Sequence, residues 1–260
     1  MFVKAAVLAV SCSALMLGCS ADQPRDGAQE TQEIIDNLVQ AGFPGSDITV
    51  VDDVVYVGLD AAVSLQASRE MLEVDGSGAQ KEQYRTNNLV SLSLQTICID
   101  GSKYTGLFGT ALDLAIENYN QLSLTFHMQR TTGNAAGCNA LITMKISGPT
   151  GGSSGFPSGG LPFNTVNIGS GLKSFDVNTV EHVITHELGH TVGFRHSDFF
   201  NRSISCGAGG NEGDGGVGAI LIPGTPSGAT VGGSVMNSCF RTLETGEFTS
   251  SDSSALRTLY

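Results

Sequence analysis

The apolar residues of this chain change rhythm several times, and each change marks an element. A mostly apolar run from Ala5 to Leu17 follows the single basic residue Lys4. It is too short for a permanent bilayer span and reads as an export leader. Beyond a polar tether, Ile34, Ile35, Leu38 and Val39 fall at helical spacing and predict a helix over 33–39, stopped by Gly42. Short strands are predicted at 48–51 and 54–57, and a second helical pattern at 65–72, ended by Asp75-Gly76-Ser77-Gly78. A larger unit begins near Gln83. It should contain a buried strand over 89–99 and a helix whose apolar face carries Phe108, Ala111, Leu112, Ala115, Ile116 and Tyr119. Strands are predicted at 122–128 and 140–146, then a Gly/Ser/Pro loop over 148–160 and an edge strand over 163–168. The next helix covers 178–190, with Asn178 as cap and Glu181 as its reciprocal partner. The expected organisation is a leader over 1–19, a tether and small unit over 20–82, and a main domain over 83–260.

Composition narrows the function. With 13 basic against 25 acidic residues the net charge is -12, which argues against nucleic acid as a partner. Glycine, at 34 residues, is about twice as frequent as usual, and only 15% of residues are charged, which suits a loop-rich exported protein. The leader ends Leu15-Met16-Leu17-Gly18-Cys19, which resembles a bacterial lipobox whose cysteine receives lipid, although Met16 is uncommon at its position. The alternative is cleavage after Ala21 and a freely secreted product. The expected location is therefore the bacterial cell envelope as a lipoprotein, or secretion, with the lipid anchor as the membrane contact. Cys98, Cys138, Cys206 and Cys239 remain for two disulfides in an oxidising compartment. Of three connectivities, Cys98 with Cys138 and Cys206 with Cys239 keeps each bridge within one half of the fold.

The chemistry is concentrated in HELGHTVGFRH, residues 186–196. His186 and His190, four apart on a helix, point two imidazoles at one ion. Glu187 is rotated about 100 degrees from the first ligand, in reach of a water and placed to act as general base. Gly193 lets the chain leave the helix and return His196 as third ligand. Three neutral nitrogens leave one position open, the hallmark of a catalytic zinc. A bare HExxH arises by chance, but each added fixed residue cuts accidental matches by more than about tenfold.

The full motif resembles the metzincin clan of zinc metallopeptidases, and Ser234-Val235-Met236-Asn237 resembles the clan's methionine turn, with Met236 as the apolar floor of the site. The stretch from His186 to Asp198 is most similar to the bacterial dual-action HEIGH metallopeptidase family, with Leu188 in place of that name's isoleucine, and the resemblance runs from about Tyr84 to Tyr260. It implies an α+β, metzincin-type zincin fold: a twisted mixed sheet with a backing helix and an active-site helix, and an irregular C-terminal half ending in a helix over 247–260. It also implies an edge strand that binds extended peptide, for which 163–168 is the candidate under a flap at 148–160. Some clan members carry a propeptide aspartate on the zinc within aromatic-x-Gly-Asp. Tyr56-Val57-Gly58-Leu59-Asp60 resembles this with one extra residue, which makes Asp60 a candidate latch and 20–82 a propeptide-like unit. Where some members place an oxyanion-stabilising tyrosine this chain has Phe240, so that role is unassigned.

Lesser candidates are weighed individually. His182 reads as a partly exposed histidine and His127 as structural or surface. Asp198 is expected to hydrogen-bond a ligand histidine. Asn211, Glu212 and Asp214 offer oxygen ligands for calcium but do not match an EF-hand, and a solvated loop is favoured. The expectation is an exported, monomeric endopeptidase with one catalytic zinc, acting on proteins or peptides. The alternatives are a surface lipoprotein that uses the same fold to bind, or a peptidase dedicated to one target.

Overall fold

The computed structural model describes residues 27–72, 83–213, 219–226 and 228–260. The leader with Cys19, the break at 75–78 and Asp214 lie outside the described residues. In chain order the elements are α1 (Gly27–Gln40), β1 (Thr49–Val51), β2 (Val54–Val57), β3 (Ala61–Val63), α2 (Leu65–Glu70), β4 (Tyr84–Arg85), β5 (Thr96–Asp100) and α3 (Gly106–Asn120). There follow β6 (His127–Thr131), β7 (Ala140–Ile146), β8 (Gly152–Gly155), β9 (Thr165–Ile168), α4 (Val177–Thr191), α5 (Ser203–Cys206), β10 (Ile220–Leu221) and α6 (Ser250–Leu259). The fold is α+β: eight strands form one mixed sheet in the order β1-β2-β3-β8-β9-β7-β5-β6, and β10 pairs with β4 apart from it.

The N-terminal elements pack around Ile34, Leu38, Phe43, Val55, Val57 and Met71. Helix α1 buries Ile34 and Leu38 and starts earlier than its apolar pattern, because the preceding polar residues lie on its solvent side. The β1–β2 hairpin turns through Asp52 and Asp53, both with positive φ (49° and 64°), the backbone that suits a two-residue hairpin loop. Ser64 caps α2 by accepting from the Ala67 amide. Strand β3, Ala61–Val63, is wholly buried and too short to announce itself by alternation. It runs parallel to β8, pairing Ala61 with Ser154 and Ala62 with Gly155. Phe156, just past β8, completes the N-terminal cluster.

The larger core gathers Ile97, Leu112, Met128, Ile142, Ile184 and Leu188. Helix α4 runs through its middle, buried at every position from Thr179 to Thr191, and lies against α3, β8 and β9. Its cap is Asp176, whose carboxylate accepts from the Thr179 amide at 3.0 Å, not the expected Asn178. Glu181 is spent elsewhere, accepting from Asn118 Nδ2 at 2.9 Å.

Two strand expectations are corrected. The segment at 163–168 is not an edge, since β9 lies between β7 and β8. The loop over 148–160 instead holds β8, and its Gly-Ser-Ser-Gly sequence shows why no strand pattern appears there. A Cβ on Gly152 would lie 2.5 Å from Glu187 Oε1, and one on Gly155 would lie 2.4 Å from the Ala62 carbonyl oxygen. Close approach requires small residues, and small residues carry no alternation. Likewise 89–95 is irregular although Val90 and Leu94 are buried, and the strand expected over 122–128 starts only at His127.

Both disulfides form, Cys98–Cys138 and Cys206–Cys239. The end of the chain is tied back by Asp252. Besides completing the capping box of α6 with Thr249, its carboxylate accepts from the Val235 amide, the Ser234 hydroxyl and Gln83 Nε2. No helix among the described residues is long and apolar enough to cross a membrane.

Burial of Glu181, opposed by its Asn118 bond and aided by Glu247, pushes its carboxyl up to about 7 from 4.5. The folded chain keeps this proton where the unfolded chain has lost it. The associated stability is present below about pH 4.5 and is lost as pH rises toward 7. Glu181→Gln should remove this dependence, so that urea unfolding at pH 5 and pH 8 shows a fall in stability smaller than wild type's by about 1–3 kcal/mol. Equal falls would contradict it.

Candidate metal centre

Three imidazoles converge because each is tied from behind. His186 Nδ1 meets the Val235 carbonyl at 2.8 Å, His190 Nδ1 the Phe194 carbonyl at 2.8 Å, and His196 Nδ1 the Glu212 carboxylate at 2.6 Å. With Nδ1 carrying the proton in each, every Nε2 faces inward as a free donor. The Nε2 atoms of His190 and His196 lie 3.1 and 3.3 Å from that of His186. A carboxylate joins them: Asp60 oxygens lie 3.7, 3.6 and 3.3 Å from Nε2 of His186, His190 and His196. Four donors around an ion at about 2.0–2.1 Å in a tetrahedron are spaced about 3.3–3.4 Å apart, so the cluster has the dimensions of a zinc site. Oδ1 of Asp60 is buried and receives no hydrogen bond, which also fits a cation as its counterpart.

Gly193 performs the predicted turn. Its φ of +105° lies where a side chain is strained, and a Cβ would sit 2.7 Å from the Asn88 carbonyl oxygen. The chain then pairs briefly with Tyr84, whose carbonyl accepts from the Arg195 amide at 2.9 Å, and delivers His196. Met236 lies under the site, its Sδ only 2.5 Å from where a Gly189 Cβ would stand. The Met236 carbonyl accepts from the Ser197 amide at 2.7 Å, joining the floor to the third ligand's strand of chain.

The extra residue before Asp60 is absorbed locally. Gly58 and Leu59 both take positive φ (63° and 80°), so Leu59 bulges outward at 66% exposure while Asp60 turns in. Burial alone would raise the Asp60 carboxyl, but His196, His186 and His190 outweigh it and hold it below the usual carboxylate range. Burial pushes His190 down to about 3, keeping it neutral. In His196 burial is outweighed by Asp60 and Glu212, which raise it.

Glu187 is buried beside the cluster, and the Ser154 hydroxyl on β8 stands 2.8 Å from both its Oε2 and its main-chain oxygen. Burial, reinforced by the charge of Asp60, pushes its carboxyl well above the ordinary value. A cavity of about 260 Å³ opens here, lined by Leu59, Gly152, His182, Val183, Glu187 and Phe240 among others. His182 is therefore buried, at 5% exposure, and not partly exposed; burial pushes it down to about 4. Its turn of α4 faces this cavity, one turn before the first ligand. His127 lies on β6, exposed.

Asp198 sits elsewhere than expected. It accepts from the amides and hydroxyls of Ser205 and Ser238, tying two loops together, and its hydrogen bonds reach no ligand histidine. The carboxylate that does so is Glu212, which the sequence offered only as a loop oxygen for calcium. No spacing rule identifies it, because a Gly-rich loop of free length carries it to His196.

Three histidines and one carboxylate thus converge on a point with the donor set of a metal centre, and a second carboxylate stands beside it. The sequence profile of the dual-action HEIGH metallopeptidase family matches residues 55–260, and the chain belongs to that family. It is thus a metallopeptidase, with protein or peptide substrates. The match begins well before Tyr84 and includes Asp60. No curated protein matches the chain. Two solved structures of myroilysin are similar. One has a TM-score of 0.41 and 13% identity over 66% of this chain and 95% of that one. The other has a TM-score of 0.30 and 17% identity over 42% and 46%.

Because Gly152 leaves room for Glu187, Gly152→Ala should displace that carboxylate while leaving the three histidines intact. Made in a chain that also carries Asp60→Ala, the variant should still bind one zinc per chain but hydrolyse peptides about 100-fold more slowly than Asp60→Ala alone, or worse. Unchanged turnover would show that Glu187 tolerates displacement.

Proposed function

We propose that the chain is an exported zinc endopeptidase of metzincin type, held latent by its own N-terminal segment through Asp60. The observation that carries this reading is the buried Glu187 carboxylate, anchored by Ser154, in the cavity that His186 and Asp60 of the three-histidine cluster also line. Zinc, when bound, lowers the pKa of water toward about 7 and polarises a peptide carbonyl. His186, His190 and His196 would hold it. Glu187 takes the proton of the attacking water and returns it to the departing amine. A pure binding module has no use for such a base.

Latency is supported by what the N-terminal segment covers. Asp60 takes the fourth donor position, and β3 lies along β8, the strand that would otherwise offer its edge to an extended peptide. Asp47 reaches Arg202 at 2.9 Å, and Phe43 lies 4.4 Å from the Arg195 guanidinium, so the segment is held beside the site as well as in it. Export is supported by the leader-like run before Cys19 and by two disulfides.

A peptide library incubated with the Asp60→Ala chain should be cleaved. Adding Glu187→Ala should reduce cleavage about 10²–10⁴-fold, and a chelator should abolish it until zinc is restored. A folded, zinc-loaded Asp60→Ala chain that cleaves nothing would count against the peptidase reading.

Against the unprocessed wild-type chain, Asp60→Ala should be roughly tenfold more active or better, since the open form becomes the dominant one. Equal rates would remove the latch and leave the peptidase standing.

A further inference from the structure

We propose that Glu212 is the positioning residue of the metal centre, fixing the orientation and raising the donor strength of His196. The proposal rests on the metal reading of the site. Two of the three histidines lean on neutral main-chain carbonyls, Val235 and Phe194, while His196 alone leans on a carboxylate, at 2.6 Å. A carboxylate draws the Nδ1 proton toward itself and leaves more electron density on Nε2, which strengthens the bond that nitrogen makes. It also locks the ring in the tautomer that presents Nε2.

The carboxylate is itself fixed from several sides. Glu212 is 1% exposed, and its amide donates to the Phe199 carbonyl at 2.7 Å. Oε1 also accepts from the Ser238 hydroxyl at 3.2 Å, and Oε2 pairs with Arg195 at 3.3 Å. Arg195 also bonds the Glu212 carbonyl at 3.2 Å, so the fully buried arginine serves this one residue twice. Such a charge is costly to bury without compensation. Here the His196 imidazole at 2.6 Å and the Arg195 guanidinium at 3.3 Å both supply it, one on each carboxylate oxygen. The third ligand is the one that needs this help. His186 and His190 inherit their geometry from α4, whereas His196 follows a glycine turn and has no helix of its own.

The test uses the full chain loaded with one zinc, with release to a chromophoric chelator as the readout, repeated with cobalt for its absorption bands. Glu212→Ala and Glu212→Gln should release zinc about 10–100-fold faster than wild type, and the cobalt bands of Glu212→Gln should shift. Glu212→Asp, which keeps the charge, should recover part of the loss. Asp198→Asn, in the neighbouring loop but bonded to no ligand, should release zinc at the wild-type rate. If Glu212→Gln, close to wild type in volume, lowers the stability of the metal-free fold yet leaves zinc release and cobalt bands unchanged, the residue is merely structural and the proposal is overturned. A wild-type chain that takes up no zinc would instead overturn the metal reading itself.

Discussion

One helix can aim two imidazoles at a point, but not three. Residues four apart share a face and converge; a third on the same face lies too far along the axis. The third donor must come from chain that has left the helix and turned back, and much of the structure beyond α4 serves that return. Gly193 makes the turn possible at a φ closed to other residues, and the brief pairing with Tyr84 guides the chain out of it. The Met236 loop underlies the returning strand, and the Cys206–Cys239 bridge joins the short helix after His196 to the chain just past Met236.

The same constraint explains the electrostatics. Converging three nitrogens in a buried place leaves a cluster that wants a cation and attracts carboxylates. Asp60 answers from the N-terminal side, Glu212 from the C-terminal side, and Glu187 stands beside both. Two of these are stabilised as anions by the histidines, while Glu187, pushed first by burial and then by the charge of Asp60, goes the other way. Departure of Asp60 would remove the second of these, so the carboxylate among the histidines also contributes to the proton affinity of its neighbour.

Local features were the legible ones. The helix period in 108–119 and 178–190, the ligand spacing of 186–196 and the turn at Gly193 all follow from backbone geometry that a few residues dictate. Even the imperfect Gly58-Leu59-Asp60 match located a carboxylate that reaches the cluster. What could not be read depends on chain brought from afar. Strand β8 was hidden because it packs against Glu187 and Ala62 so closely that only small residues fit, which erases the alternation that marks a strand. Strand β3 is too short for a pattern and exists by pairing with it. Asp198 and Glu212 are both acidic loop residues near the motif, and the choice between them is made by loop paths. The Asp176 cap was missed by assigning the helix start two residues late.

The bonds of Asp252 link the two ends of the main domain's chemistry. This carboxylate begins α6, and it also accepts from the Ser234 hydroxyl and from the amide of Val235, the residue on whose main-chain oxygen His186 rests. Ser197, Asp198 and the Cys206–Cys239 bridge hold the Met236 loop from its other side, and α6 supplies, through Asp252, the acceptor for its Val235 amide. The seat of the first histidine is thereby coupled to the docking of α6, so that loosening the last helix loosens the histidine cluster without touching any of its members.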